Sequence, residues 1–454
     1  MVMGSVPEEV DIAVVGGGVG GYIAAIRAAE LGKSVALVEK DKLGGHCLNY
    51  ACIPSKALLY IADIVHTAKN STKFGISAGD VSVDPKKMYE WRMSVSQRLA
   101  DGVAFLCRSN EIDVFKAQAT FLSSSKLQLT DGMELDFKKA IIATGSVPIE
   151  ADGLPRSDKV LSYKEALMLD YIPRNMAIIG AGYVAVEIGT MYAKLGSHVT
   201  VVARSDLLSR FDPEAVNVIR KSMEALGVKI IKGAEASSYG GGALKLTDGT
   251  SVPADIVVVA IGLEPYTDGL GLENTKVKKD GKGFITVDSS LLTSDPNIYA
   301  VGDATPGPML AHRAMRQGVV AAEAASGLSV GYDNVVVPAV IFSDPEVAIA
   351  GILDGPGIET TKFPLSALGR AIALDTTNGF VKVAHDSRGV VRGIEIVSQD
   401  ANSMISEAAL AIEMGATLED LADTIHPHPT YSEAVQEAAE AALGRPIHFF
   451  YGKK

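Results

Sequence analysis

Residues 11–40 have the sequence DIAVVGGGVGGYIAAIRAAELGKSVALVEK, in which two apolar runs flank a glycine-rich turn and an alanine-rich stretch. This order predicts a βαβ unit, the building block of a parallel sheet. Gly16, Gly18 and Gly21 form a G-x-G-x-x-G pattern, which permits a tight turn and close approach of the backbone to a pyrophosphate. Glu39 ends the second strand, where a carboxylate can accept hydrogen bonds from a ribose diol. The segment predicts a dinucleotide site, although one such pattern by itself also occurs in structural turns.

A second copy of this unit lies at residues 175–204, with the sequence NMAIIGAGYVAVEIGTMYAKLGSHVTVVAR. Its fingerprint positions follow those of the first copy at a constant offset and are Gly180, Gly182 and Ala185. A repeat with constant spacing is far more specific than one fingerprint. We therefore expect two dinucleotide-binding domains in one chain.

The two copies differ at the end of their second strand. Ala203 and Arg204 occupy the positions where the first copy has Glu39 and Lys40. The second copy thus lacks the acid that binds a ribose diol, and we expect the two sites to hold different nucleotides.

Three further apolar runs have the length of buried parallel strands. Residues 139–145 and 255–262 each stop at a glycine, which predicts a domain border or a turn over a cofactor. A third run ends at Asp303, which places a carboxylate where open α/β sheets bind ligands. From about residue 335 the sequence alternates strand-like and alanine-rich pieces without a nucleotide fingerprint, which predicts an α+β domain.

The composition excludes several classes of protein. A chain of 454 residues is too long for one hydrophobic core, and 47% apolar with 21% charged residues indicates ordered globular domains. The net charge of −12 argues against a nucleic-acid or anionic-membrane partner, since either requires a basic face. Glu8 and Glu9 lie where a secretion signal would be basic and then apolar, and no apolar run is long enough to cross a bilayer. We predict a cytoplasmic protein.

The cysteines indicate redox chemistry. Three cysteines in such a chain are too few for a stabilising disulfide framework. Cys47 and Cys52 lie five positions apart, whereas Cys107 stands alone. A close pair suits either redox chemistry or metal binding, but His46 is the only further metal ligand nearby. We therefore favour redox chemistry and predict no metal.

The sequence of residues 44–59, GGHCLNYACIPSKALL, resembles the redox-active helix of the flavoprotein disulfide reductases. This family contains dihydrolipoamide dehydrogenase, glutathione reductase and mercuric reductase. The resemblance covers nearly the whole chain, and its further motifs are the two fingerprints, Ala143-Thr144-Gly145, Gly302-Asp303 and HPHPTYSE at residues 426–433. It implies an α/β fold with two Rossmann-like dinucleotide-binding domains plus a C-terminal α+β dimerisation domain.

The resemblance also implies a division into four domains. We predict an FAD-binding domain at 1–150, an NAD(P)-binding domain at 151–270, a central domain completing the FAD site at 271–334, and an interface domain at 335–454.

Within the family, the details most resemble dihydrolipoamide dehydrogenases, notably CLNYACIPSKALL, Leu310-Ala311-His312 and HPHPTYSEA. Such an enzyme oxidises dihydrolipoyl groups on a lipoyl-bearing protein, or a small dithiol, with FAD and NAD or NADP as cofactors. The resemblance further implies a homodimer in which each active site is shared between two chains. Two alternatives remain: an NADPH-dependent reductase of another disulfide, similar to glutathione or mercuric reductase, and a flavin-binding protein without catalysis.

By resemblance, Cys47 is the thiol that exchanges with substrate and Cys52 is the thiol that faces the flavin. Disulfide exchange needs one attacking thiolate and a second thiol that resolves the mixed disulfide. His428 and Glu433 match the acid/base pair of the family, in which the carboxylate orients the imidazole. His426 is interpreted as a structural histidine.

The resemblance assigns further residues to the cofactors. Lys56 and Glu187 are expected to be catalytic residues that pair near the flavin ring, where the nicotinamide stacks. Asp303 is expected to bind the ribityl or phosphate part of FAD. The helix that starts near Ala311 is expected to direct its positive end at the flavin pyrimidine. The other expected cofactor-binding residues are Gly16, Gly18, Gly21, Glu39, Thr144, Gly145, Gly180, Gly182, Ala185, Arg204, Arg210 and Gly262.

The sequence argues for NADP at the second nucleotide site. Dihydrolipoamide dehydrogenases generally carry a glutamate where this chain has Ala203. Arg204 and Arg210 resemble the NADPH-binding arginines of glutathione and mercuric reductases, and arginine forks suit a phosphate. Other departures from the family are His46 in place of threonine and Asp344 in place of histidine, whose roles the sequence does not reveal.

Overall fold

The computed structural model describes residues 9–209 and 211–450. Arg210 and most of the segment on which the predicted absence of a secretion signal depends lie outside the described residues. The chain folds as two compact units. The first contains Met1–Pro173 and Val258–Asp333, and the second contains Arg174–Val257 and Asn334–Lys454. The division into four domains stays a prediction.

The strands are β1 Glu9–Val15, β2 Val35–Val38, β3 Asp113–Phe115, β4 Ala119–Ser123, β5 Lys126–Leu129, β6 Glu134–Ile142, β7 Ser146–Pro148, β8 Val160–Ser162, β9 Asn175–Ile179, β10 His198–Ala203, β11 Lys229–Lys232, β12 Ala236–Gly240, β13 Ala243–Leu246, β14 Ser251–Pro253, β15 Ile256–Val259, β16 Leu263–Pro265, β17 Ile298–Ala300, β18 Ala339–Ile341, β19 Glu346–Gly351, β20 Glu359–Pro364, β21 Phe380–His385 and β22 Val391–Ser398. The helices are α1 Val19–Glu30, α2 Gly45–Asn49, α3 Cys52–Lys69, α4 Pro85–Ser109, α5 Tyr163–Ala166, α6 Tyr183–Leu195, α7 Pro213–Ala225, α8 Ala311–Ala325, α9 Gly369–Ala373, α10 Ala401–Met414, α11 Leu418–Asp423 and α12 Glu433–Ala442.

The sheet of the first unit has the strand order β3-β2-β1-β6-β5-β4, and β17 pairs with β6. β1 runs parallel to β2 and β6, with Val14 opposite both Leu37 and Ile141. Val14 packs into a core with side chains of α1 and α8, whereas its neighbour Ala13 packs into a second core on the other face. Burial on both faces explains why the run is apolar throughout.

The second unit contains parallel strand pairs and two antiparallel sheets. β9 pairs in parallel with β10, and β10 pairs in parallel with β11. β12, β13 and β14 form an antiparallel meander. The C-terminal sheet has the order β18-β19-β22-β21-β20 and packs against α10 and α12. The architecture confirms the predicted α/β class with two βαβ units and a C-terminal α+β region.

Candidate active site

The first glycine loop joins β1 to α1 and leaves no room for side chains at two fingerprint positions. Gly16 has a φ of 104°, and a Cβ atom there would lie 2.4 Å from the Ala143 carbonyl oxygen. A Cβ atom at Gly21 would lie 1.8 Å from the Gly16 oxygen. Gly18 caps α1, whose first turn carries no acidic residue. The loop thus presents backbone and the positive end of a helix, as a pyrophosphate requires.

Glu39 follows β2 and is fixed by the same loop. Its Oε2 accepts a hydrogen bond from the Gly17 N–H at 2.7 Å, and its Oε1 accepts one from the Asp41 N–H at 2.7 Å. Because a carboxylate has about four lone-pair positions, it retains acceptor capacity for a ribose diol.

The cysteine-containing segment packs directly on this loop. The Gly44 N–H donates to the Gly17 oxygen at 2.8 Å, and Gly44 forms a parallel bridge with Gly18. A Cβ atom at Gly45 would lie 2.6 Å from the Gly18 Cα atom. The sequence analysis missed this contact, although the glycine pair before the cysteines was its signal. The contact fixes α2, and with it Cys47, against the first fingerprint.

Cys47 lies in α2 and Cys52 begins α3, with the helix interrupted at Tyr50 and Ala51. Both cysteines are partly buried thiols in the structure. A hydrogen bond with Cys52 raises the pKa of Cys47, and burial raises that pKa further, whereas the charge of Lys56 lowers it. Cys47 therefore needs a base before it can act as a nucleophile. Lys56 lies one helical turn after Cys52 and so on the same face of α3.

Asp303 is bound by Ser146, a residue that the sequence analysis did not single out. Ser146 Oγ donates to Asp303 Oδ2 at 2.7 Å. Burial raises the pKa of Asp303, and the hydrogen bond from Ser146 opposes that shift. The two residues before Ser146 are both held by the backbone of Tyr266. Thr144 Oγ1 donates to the Tyr266 carbonyl oxygen at 2.6 Å, and the Tyr266 N–H donates to the Gly145 carbonyl oxygen at 2.9 Å. The signal available in the sequence was a serine directly after the ATG motif.

α8 begins at Ala311, as predicted, and carries no acidic residue in its first turn. Gln317 Oε1 on this helix accepts a hydrogen bond from the Gly302 N–H at 2.8 Å, which ties the helix to the segment that carries Asp303. Gly262 has a φ of 138° and accepts a hydrogen bond from the Ile149 N–H at 3.1 Å. These hydrogen bonds join α8 to the segment that carries Asp303 and join Gly262 to Ile149, both within the first unit.

The second glycine loop has the same backbone plan with a different third position. Gly180 has a φ of 128°, and Gly182 caps α6. Ala185 is fully buried and places a Cβ atom where the first loop tolerates none. This loop also presents a helix N-terminus without an acidic first turn.

Arg204 follows the end of β10. Ala203 is buried, and the side chain of Arg204 is 76% exposed. The Arg204 guanidinium lies 3.7 Å from the carboxylate of Glu235, a neighbour that the sequence did not reveal. A paired cluster lies beside it, since Asp206 binds both Arg220 and Lys232.

Glu187 is buried on α6, and its Oε1 accepts a hydrogen bond from the Phe342 N–H at 3.1 Å. The pairing of Lys56 with Glu187 stays a prediction, because the two residues belong to different compact units.

His428 and Glu433 lie together at the start of α12. The imidazole Nδ1 is 2.8 Å from Glu433 Oε1, while Glu433 Oε2 accepts a hydrogen bond from the Thr430 N–H at 2.7 Å. The side chain of His428 is 77% exposed. The Glu433 carboxylate, which is held by the Thr430 N–H, thus orients a His428 imidazole that is exposed to solvent.

The side chain of His426 is 4% exposed, in keeping with a structural role. Its Nε2 lies 2.8 Å from Glu407 Oε1, and its Nδ1 lies 2.9 Å from the Thr424 carbonyl oxygen. The Glu407 carboxylate raises the pKa of His426. The histidine anchors the segment that precedes His428.

Comparison with known proteins decides the family. Residues 10–318 match the family described as pyridine nucleotide-disulphide oxidoreductase, and residues 337–439 match the dimerisation domain of the same family. The chain belongs to the pyridine nucleotide-disulphide oxidoreductases. It is 43% identical to dihydrolipoyl dehydrogenase of Geobacillus stearothermophilus and 42% identical to that of Bacillus subtilis, with 99% of each chain covered in both cases.

Solved structures of similar proteins extend the comparison. LpdA from Mycobacterium tuberculosis has a TM-score of 0.89 and 28% sequence identity, covering 95% of this chain and 99% of that one. The HOCl-induced flavoprotein disulfide reductase RclA from Escherichia coli has a TM-score of 0.86 and 25% identity, with the same coverage. The predicted resemblance is thereby confirmed, and this oxidoreductase is a flavoprotein enzyme that uses FAD and a pyridine nucleotide. Its dimerisation domain supports a homodimer.

The described part of the chain offers neither a metal-binding cluster nor a membrane-spanning helix. No group of three or more His, Cys, Asp or Glu side chains there could hold a metal ion. Among the same residues, no helix has the length and apolar character needed to span a bilayer.

Proposed function

We propose that this oxidoreductase is an FAD-dependent dihydrolipoyl dehydrogenase, which oxidises dihydrolipoyl groups and delivers the electrons to a nicotinamide nucleotide. The observation that carries the proposal is the hydrogen-bonded thiol pair Cys47 and Cys52, fixed through Gly45 against the first nucleotide loop. Relatives named dihydrolipoyl dehydrogenase, aligned over 99% of this chain, support the same substrate.

The thiol chemistry starts from a Cys47–Cys52 disulfide. A substrate thiolate attacks the Cys47 sulfur, a mixed disulfide forms, and Cys52 leaves as a thiolate. The second substrate thiol then attacks the substrate sulfur of the mixed disulfide, the cyclic lipoyl disulfide closes, and Cys47 leaves. The substrate loses two electrons and two protons, and the electrons pass to the cysteine pair.

His428 is the base in this proposal. It removes the proton of the first substrate thiol, and Glu433, 2.8 Å away, stabilises the imidazolium. The departing Cys47 sulfur takes up the proton of the second substrate thiol. Its exposure and its position in the dimerisation region support a shared site, in which His428 of one subunit serves Cys47 of the other. Mixing inactive Cys47→Ser and His428→Ala chains should restore part of the activity through heterodimers. A fully active monomer would exclude the shared site.

The first unit fits FAD. Its loop excludes side chains at Gly16 and Gly21, Ser146 orients Asp303, and α8 begins without an acid. When bound, FAD supplies an acceptor for the electrons of Cys52 and a hydride donor for the nicotinamide. The residues that would hold it are Gly16, Gly18, Gly21, Glu39, Thr144, Gly145, Asp303 and Ala311.

NADP is the proposed nicotinamide nucleotide. β10 ends at Ala203 and not at an acid, and the exposed guanidinium of Arg204, the next residue, supports the binding of a 2′-phosphate. A charge-assisted contact contributes about 1.5–3 kcal/mol, so each arginine favours NADP about tenfold to a hundredfold. Arg210 lies outside the described residues and remains a prediction.

Arg204 also favours a second candidate, an NADPH-dependent reductase of another disulfide. The similarity to RclA, named a disulfide reductase, points the same way.

Turnover assays separate the two candidates. We expect the highest kcat/KM with dihydrolipoamide and NADP, and little turnover of glutathione disulfide with NADPH. Faster reduction of glutathione disulfide or another disulfide would overturn the proposal. In the same enzyme, two-electron reduction should produce a long-wavelength absorbance from the Cys52 thiolate beside oxidised flavin, and Cys52→Ser should abolish it.

A further inference from the structure

Helix α6 carries a second buried charged residue beyond Glu187. Lys194 lies two turns after Glu187 on the same face of the helix, and its side chain is 3% exposed. Lys194 Nζ lies 2.5 Å from Asp344 Oδ2. Asp344 comes shortly after Phe342, whose N–H donates to Glu187. The segment 342–344 is therefore held on one face of α6 by two contacts, one to Glu187 and one to Lys194.

Asp344 is fixed from a second direction. Gln399 Nε2 donates to Asp344 Oδ1 at 2.6 Å, so both carboxylate oxygens are engaged. A lysine as buried as Lys194 needs a matching negative charge, because an uncompensated charge in the interior is strongly unfavourable. This supplies a role for Asp344, the position at which the sequence departs from the histidine common in the family.

We propose that Lys194 and Asp344 are positioning residues for Glu187. Their ion pair fixes segment 342–344 on α6, so the Phe342 N–H holds the Glu187 carboxylate in one orientation. The inference rests on the proposed function and on the family resemblance, by which Glu187 is expected near the flavin ring where the nicotinamide binds. The pair accordingly governs the nicotinamide half-reaction and leaves the thiol half-reaction alone.

The test uses FAD-loaded protein and follows the two half-reactions separately. Stopped-flow absorbance measures flavin reduction by NADPH or NADH in one experiment and by dihydrolipoamide in another. Asp344→Asn keeps the shape and removes the charge. We expect it to slow reduction by the nucleotide about tenfold to a hundredfold, as a small misplacement of a reacting group does. Reduction by dihydrolipoamide should change less than about twofold.

Two variants distinguish positioning from a general loss of stability. Lys194→Arg keeps the charge and should retain most of the nucleotide-driven rate. Lys382→Met removes another buried lysine of the same unit, whose side chain is 11% exposed and lies 2.5 Å from Asp212. It should lower the midpoint of thermal unfolding as Asp344→Asn does, but leave both half-reactions unchanged.

The binding of oxidised NADP, titrated by flavin fluorescence, gives a readout apart from activity. We expect Asp344→Asn to weaken it severalfold and Lys382→Met to leave it unchanged. Equal loss of both half-reactions in Asp344→Asn, or the same selective loss in Lys382→Met, would overturn the inference. Reduction by the nucleotide needs no disulfide substrate. Failure of the proposed function would instead show as a wild type that does not turn over dihydrolipoamide.

Discussion

The two βαβ units share a backbone plan and differ in what their side chains allow. Both loops begin at a glycine in the left-handed region, with φ of 104° at Gly16 and 128° at Gly180. At the third fingerprint position, Gly21 has no space for a Cβ atom, whereas Ala185 carries one in a buried position. The first loop is therefore the tighter, and the cysteine segment packs on it through Gly45.

The two βαβ units also differ in the segment that follows their second strand. In the first unit, β2 leads to Glu39, which accepts hydrogen bonds from two backbone N–H groups, and then to the helices that carry the cysteine pair. In the second unit, β10 leads to the exposed Arg204 and then to α7, which begins in a cluster of charged side chains. The two loops thus share a backbone conformation, and we expect the residues outside the fingerprint to decide which nucleotide binds and which chemistry lies next to it.

The largest effect is expected from substitutions at the third fingerprint position, which is Gly21 in the first loop and Ala185 in the second. Gly21→Ala places a methyl group 1.8 Å from a carbonyl oxygen, so the loop must move. We expect a loss of about 3 kcal/mol in the free energy of unfolding and a reduced FAD content per chain. Ala185→Gly, the matched control, should cost only about 1 kcal/mol. Denaturant unfolding and flavin absorbance measure both, and equal losses would show that the two loops are equally tight.

In the second unit, Glu395 in β22 should make the stability of the protein depend on pH. This residue is fully buried, and neither carboxylate oxygen has a hydrogen-bond partner among the described residues. Lys382 lies 3.8 Å away but binds Asp212 and Glu214 of the α7 start more closely. Burial raises the pKa of Glu395 to about 7, from 4.5 in the unfolded chain.

Because the folded state then holds its proton more tightly, the contribution of Glu395 is present below pH 4.5 and is lost as the pH rises through about 7. Glu395→Gln removes this dependence. Relative to the wild type, the variant should gain on the order of 2–3 kcal/mol between pH 4.5 and 8, as measured by denaturant unfolding at each pH. A difference that does not vary with pH would contradict the prediction.

Nucleotide preference tests the contrast between the strand ends. Arg204→Glu gives the second unit the acid that the first has at Glu39. We expect the ratio of kcat/KM for NADP over NAD to fall about tenfold to a hundredfold and the preference to reverse. Wild-type enzyme that already uses NAD equally well would refute the NADP assignment.

The smallest effect is expected at Glu235, which lies 3.7 Å from Arg204. Glu235→Gln frees the guanidinium for a 2′-phosphate, so the preference for NADP should rise. Since exposed ion pairs contribute at most about 1 kcal/mol, the gain should be no more than about fivefold. Steady-state kinetics at low and high salt check it, and an unchanged ratio at low salt would show that the pair does not hold Arg204.

Much of the fold was predictable because its signals are local. The glycine spacing and the strand-length apolar runs depend on residues near one another in the chain. The start of a helix near Ala311 and the pairing of His428 with Glu433 were expected from the family resemblance, and in the structure α8 begins at Ala311 and His428 Nδ1 lies 2.8 Å from Glu433 Oε1.

The order and spacing of motifs along the chain were enough to identify the family and to locate two βαβ units with nucleotide fingerprints. They also located the cysteine pair and the histidine–glutamate pair to which we assign redox and acid/base chemistry. The packing of distant segments sets which residues hold these groups: Gly45 against Gly18, Ser146 on Asp303, and Asp344 on Lys194. Those contacts join residues separated by 27, 157 and 150 positions. A local pattern cannot encode such a pairing, because the partner of a buried polar group is chosen by how the strands and helices pack.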